Sequence, residues 1–248
     1  MKDLKLVLKA ENFLDDFILI AGPCSVESEQ QLLEIASFLK NNNIKYLRGG
    51  AFKPRTSPYS FQGLGEEALK ILKKVSNKTG LKTATEVLDI RDIPLINKYA
   101  DIFQVGTRNA QNFPLLKELG KTTKPIILKR GFAQTIEEFL YSAEYILKEG
   151  NQKVILCERG IRTFETQTRN TLDISIIPII KKITKLPIII DPSHAAGRKD
   201  IILDLSKAAI AVNSDGLIIE VHNAPEKALS DKDQQLNFNE FSNLIKEI

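Results

Sequence analysis

Short runs of β-branched residues alternate along the chain with longer stretches whose apolar residues recur at helical spacing. The short runs predict strands over 17–21, 45–48, 82–85, 102–105, 126–129, 154–157, 188–191 and 217–221. Helical stretches follow them at 29–40, 66–77, 92–99, 113–121, 139–147, 173–183, 200–211 and 238–248. In the first of these, Leu32, Ile35, Ala36 and Leu39 share one face. Ser28 with Gln31, and Thr135 with Glu138, have the spacing of capping boxes that start helices. Eight strands, each followed by a helix, predict a parallel α/β protein, and no linker rich in Pro, Gly or Ser divides the series. The expected fold is a (β/α)8 TIM barrel over 17–248, with 1–16 as an N-terminal extension that closes the barrel bottom as a strand or hairpin. An open doubly wound sheet is the alternative.

The length of 248 residues suits that barrel, which typically takes about 250. With 43% hydrophobic and 27% charged residues, the composition excludes both a disordered chain and a membrane protein. The most apolar stretch, 174–180, is closed by Lys181 and Lys182 well short of a span. A net charge of +4 is too mild to demand nucleic acid and leaves anionic small molecules as reasonable partners. Two distant cysteines, Cys24 and Cys157, argue for a reducing compartment, and the first residues do not resemble a signal peptide. A cytoplasmic location is the expectation.

In a parallel barrel all strands open their carboxyl ends on one face, so the strand exits meet there. Arg48, Lys53, Arg55, Arg108, Lys129 and Arg159 all lie at such exits. Six cations at one mouth repel each other unless anions occupy it, which points to a substrate carrying several negative charges. The basic residues do not line a helix or an aromatic sheet, which argues against a nucleic-acid binder. A second set contains Cys24, His194, Glu220 and, in the loop after the last strand, Asp231. A thiolate, an imidazole and two carboxylates suit Mn²⁺, Fe²⁺, Co²⁺ or Zn²⁺ better than Mg²⁺. Spacing does not choose between Glu220 and His222, because residues two apart on a strand share a face. Cys157 reads as core. The long segment 50–65 holds Lys53-Pro54-Arg55-Thr56-Ser57, two cations and two hydroxyls on a proline-stiffened backbone, a plausible phosphate clamp.

Seven ordered blocks make the pattern recognisable: GPCSVES at 22–28, LRGGAFKPRTSPYSFQGLG at 47–65, QVGTRNAQN at 104–112, ILKRG at 127–131, CERGIRT at 157–163, DPSHAAG at 191–197 and EVHNAPEKALSD at 220–231. They resemble the 3-deoxy-D-arabino-heptulosonate-7-phosphate (DAHP) synthase family, in its barrel-only branch related to 3-deoxy-D-manno-octulosonate-8-phosphate synthase. The resemblance implies a condensation of phosphoenolpyruvate with erythrose 4-phosphate and water, the first step of the shikimate pathway. It implies that Cys24, His194, Glu220 and Asp231 bind one divalent metal ion per subunit. Arg108 and Arg159 match residues on the phosphoenolpyruvate phosphate; Arg48, Lys53 and Lys129 match those around its carboxylate and reacting carbons. Arg55 and Thr56 match the aldose-phosphate site, Glu86 an acidic group near the reaction centre, and His222 a supporting histidine. The resemblance also implies a homo-oligomer, tetramer or dimer. With no room for a further domain in 248 residues, a synthase without built-in feedback by aromatic amino acids is expected.

The nearest rival is the octulosonate synthase, which takes arabinose 5-phosphate. Its usual loop element resembles Lys-Ala-Asn-Arg-Ser, whereas this chain has Lys53-Pro54-Arg55-Thr56-Ser57. A Schiff-base aldolase using Lys129 leaves the four candidate metal ligands without a purpose. A non-catalytic phosphometabolite-binding barrel has no need of the complete set.

Overall fold

The computed structural model describes residues 3–248. Eight parallel strands, β1 (Ile18–Gly22), β2 (Tyr46–Arg48), β3 (Lys82–Val87), β4 (Ile102–Val105), β5 (Ile126–Lys129), β6 (Val154–Glu158), β7 (Ile188–Ile190) and β8 (Gly216–Glu220), close in sequence order into a barrel. The ring is completed by β1 against β8, in register from Ile18 beside Gly216 to Gly22 beside Glu220. Helices α1 (Glu29–Asn41), α2 (Glu66–Thr79), α3 (Ile93–Tyr99), α4 (Phe113–Gly120), α5 (Ile136–Lys148), α6 (Ile176–Ile183), α8 (Ile202–Ala211) and α9 (Phe238–Glu247) alternate with the strands. The architecture is the expected (β/α)8 barrel. One further short helix, α7 (Pro192–Ala196), starts directly after β7 and is too brief for periodicity to reveal.

The strands read as continuous apolar runs because both faces are covered. Their outward residues join the helix faces in one large core. Their inward residues, Ile18, Ile20, Ala84, Ile102, Ile127, Ile155, Cys157, Ile189 and Ile218, form a separate plug inside the barrel. Side chains alternate along a strand, so the next inward position lies two residues further on. That position holds Glu86 after Ala84, Gln104 after Ile102, Lys129 after Ile127, Asp191 after Ile189 and Glu220 after Ile218. An apolar plug therefore carries a polar floor at the carboxyl end of the barrel.

Among its described residues, 3–16, the N-terminal extension forms neither a strand nor a hairpin. Its Leu4 and Val7 are spaced for a turn rather than for alternation, and both are buried with a single 3-10 turn at Val7–Lys9. The Glu144 carboxylate of α5 accepts from the backbone N–H groups of Lys5, Leu6 and Val7 at 3.0, 2.8 and 2.8 Å. Beyond the turn, Phe13 and Leu14 pack against the barrel plug. The two capping signatures also differ. Thr135 and Glu138 form a complete box. Ser28 accepts from the Gln31 N–H, but the Gln31 amide turns away to the Glu27 N–H and the Ser25 carbonyl, so that box is only half made. Among the described residues no helix is long and apolar enough to cross a membrane.

Candidate active site

The polar floor opens into a cavity of about 400 Å³ at the carboxyl ends of the strands. All six strand-exit cations, Arg48, Lys53, Arg55, Arg108, Lys129 and Arg159, line it, together with Thr56, Glu86, His194 and Asp231. Arg48, Lys53, Lys129 and Arg159 are buried, each no more than 8% exposed. Several of their nitrogens lack any partner: Arg48 Nε and Nη1, Arg55 Nη2 and Arg159 Nε. A buried donor left unpaired costs about 1–3 kcal/mol, so these groups are arranged to receive acceptors from a ligand. Burial lowers the pKa of Arg159, which a neighbouring anion would offset.

Beside the cations lies a cluster of candidate metal donors. The ligating atoms of Cys24, Glu220 and Asp231 all lie within 4.8 Å of one another. His194 Nε2 lies beside this group, 3.4 Å from Glu220 Oε1 and 3.8 Å from Asp231 Oδ2. Each donor is held from behind. Cys24 follows β1, and its N–H donates to Gln235 Oε1 at 2.9 Å. Glu220 ends β8, and its N–H donates to Ser193 Oγ at 3.0 Å. Asp231 sits in a left-handed backbone conformation at φ 47°. His194 lies on α7, where the Asp191 carboxylate caps its N–H at 2.9 Å and holds Nδ1 at 2.8 Å, leaving Nε2 free to bind.

Burial, reinforced by the Glu220 carboxylate, pushes the Cys24 thiol up to about 12. Burial pushes His194 down, against the pull of Asp191 and Glu220, which favours the neutral imidazole that coordinates a cation. A thiol, an imidazole and two carboxylates converging in a buried site fit a borderline divalent ion.

Asp191 was not among the residues singled out from the sequence, yet it joins the two halves of the site. Its Oδ2 accepts from Lys129 Nζ at 2.5 Å as well as holding His194. Burial works against its charge, but His194 and Lys129 hold the carboxyl well below its ordinary range. Geometry sets Glu220 and His222 apart. Glu220 faces Arg48 at 3.1 Å and groups with Cys24 and Asp231, whereas His222 turns away from them. The His222 ring meets Gln31 of α1 at 3.0 Å and accepts from the Ala224 N–H at 2.9 Å. Also unmarked by sequence reasoning are Gln104, Phe132, Arg162 and Arg169, all in the lining.

Glu86 fits only because residue 106 has no side chain: a Cβ on Gly106 would stand 1.9 Å from Glu86 Oε1. The loop after β2 is closed at its neck by Lys53 N–H donating to the Gln62 carbonyl at 2.8 Å and Gly65 N–H to the Ala51 carbonyl at 3.0 Å. Inside that neck Arg55 Nε donates to the Phe61 carbonyl at 3.1 Å, and Arg55 Nη1 lies 3.6 Å from Asp231 Oδ1.

Residues 13–248 match the DAHP synthetase I family over nearly the whole barrel. The chain belongs to that family. It is 59% identical over 232 residues to phospho-2-dehydro-3-deoxyheptonate aldolase of Thermotoga maritima, covering 94% of this chain and 69% of the relative. A crystal structure of a DAHP synthase from the same organism superposes with a TM-score of 0.90 at 57% identity, over 94% of this chain and 67% of that one. Similarity to 2-dehydro-3-deoxyphosphooctonate aldolase of Geobacter sulfurreducens is lower, at 30% identity over 93% of this chain and 90% of the relative.

Proposed function

We propose that this member of the DAHP synthase family condenses phosphoenolpyruvate with erythrose 4-phosphate and water, releasing DAHP and inorganic phosphate. The observation that carries the reading is a basic cavity, whose buried arginines keep donors without partners, lying against a group of Cys24, Glu220 and Asp231 with His194 beside it. Identity of 59% to a heptonate aldolase against 30% to an octonate aldolase favours the four-carbon acceptor over arabinose 5-phosphate.

In this reading Arg108 and Arg159 hold the phosphoenolpyruvate phosphate, and Arg48, Lys53 and Lys129 surround its carboxylate and reacting carbons. Arg55 and Thr56, on the loop after β2, receive the phosphate of the aldose. Cys24, His194, Glu220 and Asp231 hold one divalent ion, Mn²⁺, Fe²⁺, Co²⁺ or Zn²⁺. When bound, that ion supplies Lewis acidity toward the aldehyde oxygen. C3 of phosphoenolpyruvate forms the new carbon–carbon bond to the aldehyde carbon, water adds at C2, and phosphate departs with cleavage of its C–O bond. Lys129, fixed by Asp191, and Lys53, whose Nζ donates to the Cys24 carbonyl at 3.1 Å, offset the anionic charge beside these carbons. Glu86 stands where the incoming water or departing phosphate is held. His222 acts from behind, through Gln31 and the Ala224 N–H. The enzyme acts in the cytoplasm as a homo-oligomer, a tetramer or dimer, with small-molecule substrates as its partners.

A phosphate-release assay comparing the two aldose phosphates, before and after chelation, tests the proposal. Turnover with erythrose 4-phosphate, abolished by chelator and restored by a divalent ion, is expected. A clear preference for the pentose phosphate, or activity indifferent to the chelator, would overturn it.

A further inference from the structure

The chain has nine arginines, and six of them, Arg48, Arg55, Arg91, Arg130, Arg169 and Arg198, face a carboxylate within ion-pair distance. Arg108, Arg159 and Arg162 have no such partner among the described residues, and these three gather round one aromatic ring. The guanidinium carbons of Arg159 and Arg162 lie 4.9 Å from the Phe132 ring centroid, and that of Arg108 lies 5.8 Å from it. The groups come from separate strand exits. Arg108 follows β4, Phe132 follows β5, and Arg159 and Arg162 follow β6. The arrangement is anchored in the backbone, because the Arg162 N–H donates to the Phe132 carbonyl at 2.8 Å. All four side chains line the cavity.

Three like charges around one half-buried ring repel each other, and among the described residues no carboxylate lies within ion-pair distance of them, although Asp191 and Glu158 act on Arg159 from further off. The negative faces of an aromatic ring compensate only part of that repulsion. Arg159 is 4% exposed and its Nε has no partner, so the buried member of the set lacks an acceptor, while Arg108 and Arg162 reach over it from the exposed rim of the cavity. The missing partner is a compact dianion with several oxygens. A phosphate group supplies that charge and can meet three planar guanidinium forks, whereas a single carboxylate offers one charge and two oxygens.

We propose that Arg162 is a third ligand of the phosphoenolpyruvate phosphate, beside Arg108 and Arg159, and that Phe132 is the positioning residue that holds the three guanidiniums in one converging set. Naming phosphoenolpyruvate as the phosphate donor rests on the function proposed above; the phosphate site itself rests on the geometry of the four side chains. Inorganic phosphate, the leaving group in that reaction, occupies the same place and serves as a probe independent of turnover.

The test uses the intact enzyme with Arg162→Gln, Phe132→Leu and Phe132→Tyr. Arg91→Gln serves as a control, since Arg91 pairs with Asp89 outside the cavity. Calorimetry measures inorganic phosphate binding, and steady-state kinetics measure KM and kcat for phosphoenolpyruvate. Arg162→Gln is expected to weaken phosphate binding and raise KM about tenfold with kcat nearly unchanged. Phe132→Leu keeps the bulk but loses the ring, and is expected to shift both quantities about threefold to tenfold, with Phe132→Tyr close to the parent. A purely structural role would lower melting temperature and active fraction while leaving KM and phosphate affinity in place, and that result overturns the proposal. Should Phe132→Leu fail to fold, Arg162→Gln decides alone, because Arg162 is exposed. Phosphate binding that depends on Arg162, in an enzyme that does not turn over phosphoenolpyruvate, would sink the functional reading and leave this site standing.

Discussion

In the proposed reading, Cys24 governs loading of the metal site through its protonation. With its thiol held at about 12, it remains protonated at every working pH, and an ion that binds the thiolate must displace that proton. His194, lowered from 6.5, is already neutral near pH 7 and releases none there. Affinity for the divalent ion is therefore expected to rise about tenfold per pH unit above neutrality, with about one proton released, read by calorimetry in buffers of different ionisation enthalpy. Cys24→Ser should abolish that proton release and weaken metal affinity by at least about a hundredfold. Gly106→Ala tests a steric claim: its Cβ would displace the Glu86 carboxylate, so kcat is expected to fall more than tenfold, roughly, while the melting temperature moves little. Normal turnover in that variant would remove Glu86 from the reaction centre. Residues of the cavity lining were legible in the sequence where charge and strand exit coincide, as for Arg48 or Lys129. Glu220 was not separable from His222, because strand period alone places both on one face; the approach of Arg48 and His194 separates them. Asp191 also serves as an N-cap before Pro192, and that local role hid its contact with Lys129. Phe132 carries no charge and so sent no signal.

Among the elements, the eight strands and the eight long helices follow from apolar period, and their ends shift by a few residues at most. What period does not predict is structure made by single hydrogen-bonding groups. The turn α7 exists because the Asp191 carboxylate caps it, and the N-terminal turn exists because Glu144 collects its N–H groups. Glu144→Ala leaves those donors without an acceptor, at a cost of about 1–3 kcal/mol. In a protein of this size that corresponds to a loss of roughly 2–10 °C in melting temperature. Because Glu144 holds the end of the barrel remote from the mouth, KM and kcat at 25 °C are expected to be unchanged; a kinetic defect in the folded variant would contradict this separation.

At the scale of the whole molecule, a net charge of only +4 conceals a strongly basic mouth. Anionic substrates are drawn in by that local field, and salt screens it over about 10 Å at 0.1 M. Raising ionic strength should lower kcat/KM for phosphoenolpyruvate several-fold with little change in kcat, measured from initial rates in a salt series. Invariance would mean that the field does not steer capture. The neck formed by Lys53 with Gln62 and by Gly65 with Ala51 has an evolutionary corollary. It makes the enclosed stretch a separately fastened segment, which in the proposed reading is the part that meets the sugar phosphate. On that reading, descent could alter acceptor preference within this segment while the strands of the barrel stay as they are.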